Sequence, residues 1–336
     1  MKAIRVGKLV DGTGADPLEN AAVLVDGGRI KVVGSAEDVA VPPEAELLDF
    51  GEHTIIPGMI DCHVHIHAPG GWPTDRFWRE EASQSRGYLT LRAYRNGLRD
   101  LRAGFTTVRN AHSPSYIDVA LRDAVQDGLV VGPRVVASGQ GLTATGGHMD
   151  EGWWTQEVTM WGRTGVCDGP WECRRAAREQ LKHGADFIKI NAAAGTDDPE
   201  EPRRQELTYE EMAAICEEAH WAGKRVGAHA HGGLGVTDAI RAGLDSVEHG
   251  VWLTREQLEL MAEHEVFYVP TLCTHSRGLA LGPEKTGSTE RSWAWLERAC
   301  KERWASLERA KEVGVKIAVG TDAGFWMYHG ENAAEL

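Results

Sequence analysis

Hydrophobic patterning changes texture near residue 57. Before it, short aliphatic and β-branched runs are broken by turn residues, as in "KAIRVGKLVDG", "AAVLVDGGRIKVVG" and "ELLDFGEHTII". In the second of these, Asp26-Gly27-Gly28 separates two apolar runs, which predicts a hairpin. Residues 1–56 therefore read as a small β-unit. After residue 57, short apolar runs alternate with longer stretches of helical periodicity. The apolar runs predict strands at 59–65, 105–109, 134–138, 187–190, 226–231, 246–249, 267–271 and 316–321. The intervening "LTLRAYRNGLRDLRAG", "ECRRAAREQLKHGA", "TYEEMAAICEEAHWAG" and "TREQLELMAEHE" read as amphipathic helices, several ending at a C-capping Gly. This succession of β/α alternations predicts an α/β fold, a TIM barrel over 57–336, ahead of an open doubly wound sheet.

The stretch "DCHVHIH" at 61–67 departs from ordinary patterning. Residues two apart on a strand share a face, so His63, His65 and His67 would align, with Ile60, Cys62, Val64 and Ile66 opposite. Packing gives little reason for a row of ionisable rings. In a barrel, chemistry gathers at the C-terminal strand ends. Those predicted ends carry His63 and His65, Lys189, His229 and His231, His249 and Asp322. Each has an ordinary reading alone: a satisfied core histidine, or a helix cap at Asp322. Together, imidazoles and a carboxylate at one end are what a divalent metal binds. Lys189 lies between Ile188 and Ile190 on a strand expected to be buried, where an ammonium is costly. Either it forms a salt bridge, or it is a neutral amine that captures carbon dioxide as a carbamate.

Composition narrows the classes. The 336 residues carry a formal charge of −14, which argues against a nucleic-acid surface. Six cysteines are scattered without a CxxC pair, against a disulfide framework or thiolate zinc site. The N-terminus lacks the apolar core of a signal peptide, and no apolar run reaches a membrane span. The expectation is a soluble cytoplasmic protein with no nucleic-acid or membrane partner. The loop at 139–170 is long and rich in Gly and Trp. Its Trp153, Trp154 and Trp161 would form either an apolar wall for a ligand or a packed loop core.

The runs "IIPGMIDCHVHIH", "GADFIKINAAAG", "VGAHAHG", "VEHG" and "VGTDAG" occur in the order found in the amidohydrolase superfamily, in its two-metal form. The chain resembles its imidazolonepropionase-like group, which includes Xaa-Pro dipeptidases, over nearly its whole length. The resemblance implies a small N-terminal β-sandwich and a metal-dependent TIM barrel. It also implies that His63, His65 and Asp322 bind the more buried metal and that His229 and His249 bind the second. Carboxylated Lys189 would bridge them, and the two divalent ions would be zinc, with manganese, iron or cobalt as alternatives. His231 and His148, in "TGGHMD", become substrate contacts, and His67 lies past the strand toward substrate or solvent.

The implied activity is hydrolysis of an amide in a dipeptide of the Xaa-Pro type or an N-acyl amino acid. A hydroxide between the metals attacks, Asp322 shuttles its proton, and His148 or His231 holds the oxyanion or a terminal carboxylate. Lactonase or organophosphate hydrolysis uses the same machinery, and a mononuclear cyclic-amide hydrolase or deaminase would lack the bridging lysine. An inactive fragment is the non-enzymatic alternative. A small-molecule or dipeptide substrate and a homo-oligomer are the expected partners. Only "AGFWMYHGENAAEL" follows the last predicted strand, with "ENAAEL" reading as the start of a helix. The resemblance implies a further helix and returning strands, so the expectation is a C-terminally truncated chain that is weakly stable or self-associating.

Overall fold

Strands here form where apolar residues run unbroken or alternate. Residues Phe187–Asn191, with sequence FIKIN, are buried throughout, and Arg225–Gly232 is buried from Val226 onward. Such runs suit parallel strands covered on both faces. The computed structural model describes residues 1–71, 74–150, 165–193 and 205–336. The loop tryptophans Trp153, Trp154 and Trp161 lie outside the described residues. The described chain separates into two compact units, Met1–Met59 and Ile60–Leu336.

The first unit contains β1 (Lys2–Leu9), β2 (Leu18–Asp26), β3 (Arg29–Ser35), β4 (Glu46–Asp49) and β5 (Thr54–Ile55). They form one five-stranded sheet in the order β3-β2-β1-β4, with β5 pairing β1. The β2–β3 turn is the hairpin expected at Gly27-Gly28. Both glycines have positive φ, at 56° and 74°, which a tight primed turn requires. Ala3, Ala22, Leu24 and Val39 form the core of this unit.

The second unit runs through β6 (Met59–Val64), α1 (Thr74–Ser83), α2 (Arg86–Arg102), β7 (Phe105–Asn110), α3 (Ile117–Gln126), β8 (Arg134–Ala137), β9 (Leu142–Thr143) and β10 (Gly165–Val166). It continues through α4 (Gly169–Lys182), β11 (Phe187–Asn191), α5 (Tyr209–Trp221), β12 (Arg225–Gly232), α6 (Leu234–Arg241), β13 (Ser246–Trp252), α7 (Arg255–Glu263) and β14 (Phe267–Val269). Helices α8 (Leu272–Leu281), α9 (Pro283–Thr286) and α10 (Glu290–Val313) follow. Parallel β6-β7-β8 and β11-β12-β13-β14 are the two arcs of a barrel. Asp186 N donates to Ala137 O at 2.7 Å and joins one seam. The other seam is the segment 316–323, whose Ile317 bridges Tyr268 and whose Val319 O accepts from Cys62 N at 2.8 Å. This is the eighth stave expected at 316–321. It makes isolated bridges rather than a regular ladder because Thr321 N and Asp322 N both turn to His63 O.

The core lies between the strands and the helical layer. Ile188 and Ile190 point outward into it, with Met212, Ile215, Ala176 and Val226. Truncating Ile190 to Ala would cost about 2–5 kcal/mol. Residues alternate on a strand, so Lys189 between them faces inward. Helices α5 and α7 are started by capping boxes, Thr208 with Glu211 and Thr254 with Gln257. The long α10, which the sequence reading did not place, ends at Gly314 with φ 84°. "ENAAEL" forms only a short 3₁₀ turn, Asn332–Glu335. It is tied down by Glu335, whose carboxylate accepts from Leu272 N and Cys273 N at the start of α8.

Candidate metal centre

The end of β6 places His63, fully buried, with Nδ1 2.8 Å from Glu248 Oε2. Glu248 is held in turn by Arg109 at 2.6 Å and by the Ser246 hydroxyl at 2.6 Å. Room for this pair depends on Gly227 on β12. A Cβ there would lie 2.8 Å from Ser246 Oγ and 2.9 Å from Glu248 Oε1. Burial alone would raise the Glu248 carboxyl, but Arg109 and His63 outweigh it and keep Glu248 well below the usual carboxylate range. A carboxylate on Nδ1 fixes the His63 tautomer and leaves Nε2 as the free lone pair. That nitrogen is 3.5 Å from Asp322 Oδ1. His65 Nε2 approaches the same oxygen at 3.2 Å. One ligand atom from each of His63, His65 and Asp322 lies within 4.8 Å of the others.

The remaining predicted residues gather around this trio. The His249 ring centroid lies 4.8 Å from that of His63 and 4.6 Å from that of His229. Its Nδ1 is 2.7 Å from Thr271 Oγ1, so Nε2 again faces the centre. His229 stacks on His148 at 4.2 Å and meets His231 edge-on at 4.7 Å. Lys189 is 3% exposed, and burial lowers its ammonium to about 8 while Glu248 and Asp322 oppose the shift. Its charge helps depress His63, His148, His229, His231 and His249, which places it electrically among them. Burial first, then neighbouring charge, lowers His63 and His148 to about 4 and the other three well below the ordinary histidine value. Neutral imidazoles are the ligand form. Buried His63 Nε2 and His229 Nε2 have no hydrogen-bond partner, as open ligand positions would. The donor set thus fits divalent metal.

Backbone strain marks the same rim. His249 (φ 71°), Thr271 (φ 46°) and Asp322 (φ 58°) are left-handed without being glycine. His249 lies within β13, and Thr271 and Asp322 lie just beyond barrel strands, where such conformations persist only if the surroundings hold them.

His67 departs from its expected place. It is fully buried, with Nε2 3.4 Å from Glu81 Oε1, rather than turned to substrate or solvent. The strand ends at Val64, so the i, i+2 alignment does not extend to His67. His112 Nε2 reaches the same Glu81 oxygen at 3.3 Å. These three residues have metal-ligand spacing. However, Gly141 N–H donates to His112 Nδ1 at 3.1 Å, which puts the His112 proton on Nε2, facing Glu81. This is hydrogen bonding, and the nitrogen nearest the carboxylate has no lone pair for a metal. Sequence reasoning missed Glu81, His112, Arg109 and Glu248. The last two were visible as charges inside apolar strands, and His112 as a polar residue just beyond one.

Residues 54–335 match the amidohydrolase family. Over 95% of its length the chain is 33% identical to an ochratoxinase of Aspergillus niger, spanning 68% of that relative. A crystal structure of a Xaa-Pro dipeptidase with bound methionine in its active site superposes with a TM-score of 0.88 at 30% identity, over 99% of this chain and 82% of its own. A prolidase complexed with N-methylphosphonate-L-proline gives 0.84 at 32% identity, over 96% and 78%.

Proposed function

The chain belongs to the amidohydrolase family, a family of metal-dependent hydrolases, and from that membership we propose a binuclear enzyme that cleaves the amide bond of an Xaa-Pro-type dipeptide or an N-acyl amino acid. The observation that carries the reading is the convergence of His63, His65 and Asp322 ligand atoms within 4.8 Å, beside His229, His249 and Lys189. His63, His65 and Asp322 would hold one divalent cation, zinc first, and His229 and His249 a second. Lys189, as the carbamate of its amine, would bridge them. Cations held there supply Lewis acidity, making a water acidic and polarising the scissile carbonyl.

The protein's own groups do the rest. Asp322 is held below the usual carboxylate range: burial opposes this, but the His65 hydrogen bond and the histidine cluster prevail. It is ionised at neutral pH and accepts the proton of the attacking water. It then returns that proton to the departing nitrogen. His148 and His231 stay neutral by burial, and each offers an imidazole N–H to the carbonyl oxygen as negative charge develops.

The test is metal analysis of purified protein with a hydrolysis screen of dipeptides, N-acyl amino acids, lactones and organophosphates, with zinc or manganese added. Two equivalents of metal and amide cleavage are expected. Lactone or phosphotriester cleavage without amide cleavage would replace this reading, as would a single equivalent of metal.

A further inference from the structure

Asp61 stands two residues before His63 on β6 and is fully buried. Its Oδ1 accepts from His63 N and from Thr321 N, each at 3.1 Å. Its Oδ2 accepts from the Thr321 hydroxyl at 2.6 Å and from Asn332 Nδ2 at 2.7 Å. These donors fill the about four acceptor positions of a carboxylate. Asp61 thereby ties the backbone of His63 to the residue before Asp322. Asn332 closes the set from a separate stretch of chain. It is fully buried too, and its Oδ1 accepts from Gly330 N at 3.0 Å.

His329 reaches the remaining ligand. Its Nε2 donates to His65 O at 3.2 Å and its Nδ1 to Asp100 Oδ2 at 2.8 Å. A carbonyl and a carboxylate face the ring from two sides, so both nitrogens act as donors. Gly330 N donates to the other Asp100 oxygen at 2.9 Å. Asp100 lies on α2, so residues 329–332 are anchored to a helix on one side and to the ligand strand on the other. Glycine permits the close approach of the ligand-bearing segments. A Cβ at Gly320 would lie 2.9 Å from His63 Cβ, and one at Gly324, where φ is 108°, would run into His65 O.

The atoms held in this way are not a random sample of the buried backbone. His63 N and His65 O belong to two ligands, and Thr321 precedes the third. The ligand atoms of His63, His65 and Asp322 lie within 4.8 Å of one another. Asp322 is also left-handed, at φ 58°, a conformation that persists only if its neighbours hold it. Metal–ligand distances tolerate only about 0.2 Å of error, so a shift of this backbone is felt as lost affinity.

We propose that Asn332 and His329 are positioning residues of the metal centre. Asn332, acting through Asp61, sets the backbone of His63 and Asp322, and His329 sets that of His65. The inference rests on the metal-centre reading and adds to it a strap, residues 329–332, whose side chains lie outside the ligand set.

The experiment titrates zinc and cobalt into the metal-free full chain. It records affinity, the visible absorption of bound cobalt, and thermal melts with and without metal. N332A removes one donor to Asp61, and H329Q keeps at most one of the two histidine bonds. Each should weaken metal binding by about 10–100-fold and alter the cobalt spectrum. N332D sets a second carboxylate against Asp61 and should bind more weakly than wild type. The double variant D61N/N332D exchanges amide and carboxylate, restores their hydrogen bond, and should bind more tightly than N332D. A merely structural role would lower the melting temperature of the metal-free protein and leave the affinity and cobalt spectrum of the folded fraction unchanged. That result overturns the proposal. Melts report folding, and N332S, which keeps a short polar side chain, decides if N332A does not fold. A wild-type protein that binds neither zinc nor cobalt overturns the metal centre and the strap together. Wild-type binding in the folded variants overturns the strap alone.

Discussion

His63 and Glu248, 185 residues apart, share a hydrogen bond of 2.8 Å in which both side chains are essentially excluded from solvent. The contact orients the imidazole, and Arg109 on the far side of Glu248 fixes the carboxylate. Glu248→Gln keeps the volume but leaves the Arg109 charge uncompensated. It should destabilise the fold by about 3 kcal/mol and weaken metal binding by about 10–100-fold. Urea denaturation and metal titration measure the two effects. Wild-type affinity in a folded variant would mean that Glu248 does not position His63.

Lys189→Ala should remove most activity and lower bound metal, because the variant loses an inward-facing amine among four histidines. If the amine carries carbon dioxide, short carboxylic acids should restore part of both. Protein grown in labelled bicarbonate should show a carbamate carbon by NMR. Full metal content and turnover in the variant would rule out the bridge.

His231→Asn and His148→Asn should each retain both metal equivalents and lose rate or affinity. Their rings stack on or abut His229 without belonging to the trio at Asp322. If His231→Asn instead loses one equivalent of metal, the ligand on β12 is His231 and not His229.

His329 Nδ1 lies 2.8 Å from Asp100 Oδ2, with both side chains fully buried. Burial would lower the imidazole, but the Asp100 charge and hydrogen bond outweigh it, and the pKa is raised above its ordinary value of 6.5. A raised folded-state value means that the contribution is complete below the unfolded pKa near 6.5 and disappears as pH rises through the folded one. His329→Gln should therefore cost about 3 kcal/mol near pH 6, and the cost should shrink at alkaline pH. Denaturation midpoints across pH give the curve; a cost that grows with pH would contradict the assignment.

The sequence by itself determined the parts that depend on local periodicity. Strands such as Phe187–Asn191 and Ser246–Trp252 announce themselves because they are buried on both faces and tolerate few polar residues. The few they keep, Lys189 and His249, therefore stand out. Barrel topology sends every parallel strand's C-terminus to the same end, so naming the strands already brought His63, Lys189, His229, His249 and Asp322 together. The tertiary structure decided what lies across the barrel. Glu248 with His63, Glu81 with His112, and His329 with Asp100 join elements 31 to 229 residues apart. Nothing in local spacing encodes such pairs. His67 continues the alternation of His63 and His65 in sequence but not in space, because the strand ends first. The burial of Trp295 and Arg303 was likewise invisible. Along α10, Trp295 and Arg303 look like an aromatic and a solvated base on a surface helix. Only packing against α8 and β13 buries them. Which polar groups are satisfied is a property of the folded neighbourhood, because a hydrogen bond is decided by distance and angle and not by order along the chain.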